Sequence, residues 1–168
     1  MRTFKVAIVG SPGVGKTTFA LRSPSLSGRE YGKSVGVLVA RAKIPTTNGD
    51  ATLMLWDIDG SVDAEQRWVF CRDVSGFVVV SDVTRPETLT AATALLSEIA
   101  QRVPNHRSVL MLNKTDLMTT PNFESGEIKN VSSPQIVLKP ASAECGEGCE
   151  EILSHLATAL ISAREGGK

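Results

Sequence analysis

The chain has 168 residues, 42% hydrophobic and 21% charged, which suits one domain burying roughly 70% of its unfolded surface without staples. Eighteen Lys and Arg balance eighteen Asp and Glu, so no overall field draws in nucleic acid or an anionic membrane, and no nucleic acid is expected as a partner. Three cysteines argue against a disulfide framework, and Cys145 and Cys149 lack the two further ligands a metal site would need.

In chain order, Phe4–Val9 reads as a buried strand, and Gly10-Ser11-Pro12-Gly13-Val14-Gly15-Lys16-Thr17 follows it directly. That stretch fits G-x-x-x-x-G-K-[ST], and Thr18–Arg22 continues as a helix. Ser23–Gly32 is rich in Ser, Gly and Pro and reads as a loop. A strand is expected from Val35 to about Ile44, then an Asn-Gly hairpin at Thr47–Asp50 and an antiparallel partner at Ala51–Trp56. Asp57–Asp63 is loop-like, and Ala64–Arg72 is a short helix with Trp68 and Phe70 partly buried. Phe77–Ser81 is a strand buried on both faces. Thr84–Glu87 has a capping-box pattern ahead of a helix whose Leu89, Ala92, Leu96, Ile99 and Val103 share one face. Val109–Leu112 is a strand running into Asn113-Lys114-Thr115-Asp116. After a punctuated segment, Met118–Pro134, come a last strand at Ile136–Leu138 and a closing helix over Glu150–Ala163, with Ile152, Leu153, Leu156 and Leu160 inward. The alternation predicts an α/β, doubly wound, mostly parallel six-stranded sheet with one antiparallel edge strand. It forms a single domain over residues 1–168, with its sites at the strands' carboxyl ends.

The ends of the chain carry no expected address. Met1-Arg2-Thr3 enters a strand without a signal peptide or a myristoylation glycine, and no apolar run is long enough to span a bilayer. The last residues hold no cysteine to prenylate. A cytoplasmic protein with no direct lipid anchor is expected, reaching any membrane through a partner.

Each candidate site follows a strand. The glycine loop turns backbone N–H groups toward phosphate oxygens, so Gly10, Pro12, Gly13, Val14, Gly15, Lys16, Thr17 and Thr18 form the expected phosphate cradle. Lys16 supplies a cation for the β- and γ-phosphates, and the Thr17 hydroxyl can ligate Mg²⁺. Asp57 can hold the same ion through water, and the Gly60 N–H can meet a γ-phosphate. The Asp116 carboxylate suits the N1–H and exocyclic amine of guanine, a pair that adenine lacks. Asn113 can bond the base's other edge while the Lys114 stem lies along the ring. A guanine nucleotide is therefore favoured over ATP, and an ATP-dependent small-molecule kinase is a weak alternative.

With these motifs in place the chain resembles the small GTPases of the Ras superfamily, over nearly its whole length. GSPGVGKT resembles the family's phosphate loop, Trp56–Gly60 its WDTAG, and Asn113–Asp116 its NKxD. Ala141-Ser142-Ala143-Glu144 is similar to the SAK motif with Glu144 in place of lysine, which implies that Ser142 and the Ala143 N–H support the base. Glu30–Val37 resembles the first switch of Rab-like members, which places Tyr31 at the switch tyrosine and Ser34 at the Mg²⁺-binding position beside Thr17 and Asp57. The resemblance implies a switch cycling between GTP and GDP with Mg²⁺ as cofactor. Lys16, Gly60 and Ser61 would then surround the reacting phosphate. Effector, exchange factor and activating protein would meet the chain through Ser27–Val37 and Gly60–Arg72.

Four departures from the family pattern carry consequences. Ser61 stands where the water-orienting glutamine belongs, so hydrolysis to GDP and phosphate is expected to be slow. The alternative is a GTP-binding scaffold with negligible hydrolysis. Asp59 replaces a small alanine and either repels the γ-phosphate or points away from it. No aromatic stands near Leu26 or Ser27 to cover the base, which favours fast nucleotide exchange. Pro12 should stiffen the phosphate loop.

Overall fold

A computed structural model describes residues 2–22, 25, 32–118 and 133–166, with residues 32–34 described by their backbone. Seven strands form one sheet: β1 (Arg2–Val9), β2 (Gly32–Ser34), β3 (Val37–Ile44), β4 (Ala51–Ile58), β5 (Gly76–Asp82), β6 (Arg107–Asn113) and β7 (Ile136–Pro140). The four α-helices among the described residues are α1 (Lys16–Arg22), α2 (Ala64–Phe70), α3 (Pro86–Arg102) and α4 (Cys149–Gly166), and a 3₁₀ turn spans Thr115–Leu117.

The sheet order is β2-β3-β4-β1-β5-β6-β7. The six expected strands are present, and β3 alone runs against the others. The three-residue β2 pairs beyond β3, so the reversed strand is not quite the edge. The β3–β4 connection closes with the Gly49 N–H on the Thr46 carbonyl, putting Thr47 and Asn48 at its centre. Gly49 follows at a φ of 102°, the bulged form of a hairpin turn rather than a two-residue Asn-Gly turn.

Side-chain alternation sends the two faces of each central strand into separate cores. Val6 and Ile8 of β1 join Leu53, Val78, Met111 and the α4 residues Ile152, Leu153, Leu156 and Leu160. Ala7 and Val9 join Phe77, Val79, Leu110 and the α3 residues Ala92, Leu96 and Ile99, with Trp68 and Phe70 of α2 packed alongside. Covered on both sides, β5 is buried at every position, which explains its continuous apolar run.

Two helix starts differ in an instructive way. Asp63 caps α2 by accepting the Gln66 N–H at 2.9 Å. The capping box expected at Thr84–Glu87 does not form: Arg85 is the N-cap of α3 and makes no side-chain cap bond. The Thr84 hydroxyl donates instead to Asp82 at 2.6 Å, and Pro86 starts the helix with its preset φ.

The parallel strands β4, β1, β5 and β6 end along one border of the sheet, at Ile58, Val9, Asp82 and Asn113. Strand order reverses about β1, so the crevice beyond these ends is where a doubly wound sheet takes its ligand.

Candidate nucleotide-binding site

The glycine loop leaves β1 at Gly10 and enters α1 at Lys16. Gly15 has a φ of 102°, and a Cβ there would lie 2.2 Å from Asn113 Nδ2. Only glycine permits both the turn and that approach. Gly60 is required for a different reason: a Cβ on it would meet Pro12 N at 2.6 Å and Gly10 O at 2.9 Å. The loop after β4 is therefore seated directly on the phosphate loop.

A cavity of about 340 Å³ lies between them, lined by Pro12, Gly13, Lys16, Thr17, Gly36–Leu38, Asp57, Asp59 and Gly60. Lys16 is buried and its Nζ donates to Gly10 O and Ser11 O, both at 3.0 Å. Burial lowers the Lys16 pKa, with Asp57 and Asp59 opposing that shift. Asp57, also buried, accepts the Thr17 hydroxyl at 2.5 Å on Oδ2, while its Oδ1 has no partner. Burial raises its pKa, and the Thr17 bond and Lys16 oppose. An orphaned buried carboxylate oxygen beside a hydroxyl is an all-oxygen donor set that fits Mg²⁺. The backbone of Ser34 lies in β2, and its side chain is outside the described residues. Tyr31, Leu26 and most of the expected first switch, residues 27–31, also lie outside them, as do residues 119–132 of the punctuated segment.

Asp59 and Ser61 close on each other. Asp59 Oδ1 accepts both the Ser61 N–H at 2.9 Å and the Ser61 hydroxyl at 2.8 Å. These bonds hold the exposed Asp59 carboxyl below its ordinary pKa. The side chain thus lines the cavity with its carboxylate folded back on Ser61.

The base-side residues assemble from three loops. Asn113 is buried; its Nδ2 donates to Val14 O at 2.7 Å, and its Oδ1 accepts the Ala143 N–H at 2.9 Å. The amide expected to face guanine ties together the phosphate loop, the end of β6 and the loop after β7. Burial at the end of a central strand leaves it facing backbone rather than solvent. Asp116 is exposed and accepts the buried Ser142 hydroxyl at 2.6 Å, which aims its carboxylate while leaving it accessible. Lys114 holds a left-handed φ of 69° and donates Nζ to Gly13 O at 3.0 Å and to Asp82 at 2.6 Å. Glu144 is exposed and pairs with Arg22 at 2.5 Å, the last residue of α1. Thr18 is half-buried in the first turn of α1.

Two residues that sequence reasoning missed stand between these groups. Asp82 ends β5 opposite Asn113 and is 1% exposed. It accepts from Lys114, from Arg85 Nε at 3.1 Å, and from the Thr84 N–H and hydroxyl. Burial acts to raise its pKa, but these donors outweigh it and hold the carboxyl at about 2. Arg85 Nη2 donates in turn to Pro12 O at 3.0 Å. The signal available in the sequence was a carboxylate at the carboxyl end of an otherwise apolar strand, the same position that singles out Asp57.

Comparison with known proteins agrees with this geometry. The chain is 27% identical over 172 residues to EF-hand calcium-binding domain-containing protein 4B of Homo sapiens, covering 95% of this chain and 22% of that protein. It is 28% identical over 174 residues to GTPase Obg of Syntrophus aciditrophicus (strain SB), with 95% and 51% covered. It is 26% identical over 168 residues to Ras-related protein Rab-18 of Lymnaea stagnalis, with 95% and 81% covered. The chain therefore spans about a fifth of the first relative and about half of the second. The family model described as Ras family matches residues 5–162, and the chain belongs to that family.

Proposed function

We propose that the protein is a GTP-binding switch that hydrolyses GTP to GDP and phosphate slowly, and that its phosphate and guanine contacts are better formed than its hydrolytic ones. Membership of the Ras family supports the switch itself. The observation that carries the slow rate is the Asp59–Ser61 pair: the hydroxyl at the glutamine position is short and already spent on a carboxylate. It has little left with which to orient an attacking water.

In this reading Gly13, Val14 and Gly15 present N–H groups to the phosphates, and Thr18 stands at the start of the helix that follows. Lys16 exchanges its bonds to Gly10 and Ser11 for bonds to phosphate oxygens, gaining a stronger charge-assisted partner. Asp116 reads guanine, with Ser142 and the Ala143 loop holding the pocket's shape. Thr17, Asp57 and Ser34 would hold Mg²⁺, which neutralises charge on the β- and γ-phosphates when bound. The Gly60 N–H meets the γ-phosphate from the loop seated on Pro12. Effector, exchange factor and activating protein would engage residues 27–37 and 60–72, including Val35, which is 95% exposed, and Val69. No helix among the described residues is long and apolar enough to cross a membrane. We infer a cytoplasmic protein, with a partner supplying any recruitment to membranes.

The test is single-turnover product formation from GTP and from ATP with Mg²⁺, on wild type and on S61Q. Slow GTP hydrolysis, none of ATP, and an increase of roughly tenfold or more in S61Q are expected. Fast hydrolysis by wild type would overturn the slow-rate reading. No hydrolysis by either protein, with GTP retained, would favour the scaffold alternative.

A further inference from the structure

Consecutive carbonyls of the phosphate loop are each held by a side chain. Lys16 takes Gly10 O and Ser11 O, Arg85 takes Pro12 O, Lys114 takes Gly13 O and Asn113 takes Val14 O. In a trans peptide the C=O and the following N–H point in opposite directions on one rigid plane. A donor that draws a carbonyl outward therefore turns the next residue's N–H inward. Arg85 thereby sets the direction of the Gly13 N–H.

The Pro12–Gly13 peptide is the one most in need of such a hold. Pro12 has a preset φ and no N–H of its own, so the cradle has no donor at that position. Gly13 has a φ of 74°, near the +80° of the second central residue in a type II turn. Rotating the intervening peptide by half a turn gives a type I turn, which needs a φ near −90° there and which glycine adopts freely. That flip would point the Gly13 N–H out of the cradle and its neighbouring carbonyl in.

Arg85 is itself well fixed. The residue before a proline has a restricted backbone, and Arg85 O accepts the Thr88 hydroxyl at 2.7 Å. Its Nε rests on the buried Asp82 while Nη2 reaches Pro12, a two-sided grip that a planar guanidinium supports and a single ammonium does not. Asp82 also holds Lys114, so the same carboxylate braces the donors on two adjacent loop carbonyls.

We infer that Arg85 is a positioning residue for phosphate binding, locking the Pro12–Gly13 peptide with the Gly13 N–H directed into the cradle and braced by Asp82. This rests on the proposed guanine-nucleotide function. The test compares wild type, R85A and R85K in two measurements. Release of a fluorescent GDP into excess unlabelled GDP is expected to quicken about tenfold in R85A, and less in R85K. The Gly13 amide resonance in a ¹H–¹⁵N spectrum is expected to be single in wild type and doubled or broadened in R85A. A lost contact that merely loosened the fold would not confine that change to Gly13. R85A releasing GDP at the wild-type rate with one unshifted Gly13 resonance would overturn the inference. Should R85A fail to fold, R85K decides by the same two readouts. If wild type does not retain GDP, the functional reading fails. The Gly13 resonance of the unliganded proteins then still decides on Arg85: one unshifted peak in both overturns it, and a second population in R85A sustains it.

Discussion

The two halves of the candidate nucleotide site are built differently. On the base and phosphate side, the loop carbonyls are held by side chains from far along the chain: Arg85 to Pro12, Lys114 to Gly13 and Asn113 to Val14. On the γ-phosphate side, Asp59 and Ser61 bond each other two residues apart and exposed. Long-range contacts fix a shape by making many elements agree on it. Local contacts in water are cheap to exchange. The loop at Gly60 is nonetheless seated against Pro12, so a rearrangement there would be felt in the glycine loop. In the proposed function, binding would rest on the rigid construction and switching on the replaceable bonds.

The largest way to break this comparison is G15A. The added Cβ would lie 2.2 Å from Asn113 Nδ2 at a φ that disfavours side chains. GDP affinity by calorimetry should fall by at least about a hundredfold, and the fold should lose on the order of 2–3 kcal/mol. Near-normal affinity would show that the loop is less constrained than its carbonyl contacts indicate.

D116A should come next. Loss of the paired acceptor is expected to reduce the preference for GTP over ATP by about a hundredfold or more, read from competition against a fluorescent nucleotide. The phosphate loop should be undisturbed, because Asp116 bonds only Ser142 among the described contacts. Unchanged base preference would place guanine recognition elsewhere.

The pH dependence sharpens the same contrast at a smaller scale. Asp82 has a folded-state pKa of about 2 against an ordinary 3.8, so the unfolded chain binds its proton first. Its contribution is full above pH ~4 and is lost as pH falls toward 2, on the order of 2 kcal/mol. Urea melts across that range should show this component in wild type and lack it in D82N. An equal acid slope in both would refute the assignment.

W68F is the smallest. Trp68 Nε1 donates to Glu98 at 2.7 Å, and Arg102 both pairs with Glu98 at 3.1 Å and lies over the indole ring. These contacts tether α2 to α3 and give the switch side its own long-range hold. Removing the indole N–H should cost about 1 kcal/mol in thermal or urea unfolding and leave GDP affinity within about twofold. A larger fall in affinity would mean that α2 is coupled to the phosphate side more tightly than its contacts show.

The sequence by itself determined the order of strands and helices, the family, and the position of each motif after a strand. These depend on spacing along the chain: the apolar runs of β5 and β6, the glycines of residues 10–15, and the carboxylates at Asp57 and Asp116. Only the tertiary structure decided where the donors point. The Asn113 amide joins the glycine loop to the loop after β7, and the Thr84 hydroxyl serves a carboxylate rather than a helix cap. The position of Asp82 at a strand end was legible, but its bond to Lys114, 32 residues on, and the reach of Arg85 to Pro12, 73 residues back, were not. Periodicity and motif spacing record contacts that the chain makes with its neighbours in sequence. The bonds from Arg85, Lys114 and Asn113 to the phosphate loop's carbonyls join segments far apart in sequence, and only folding brings them together.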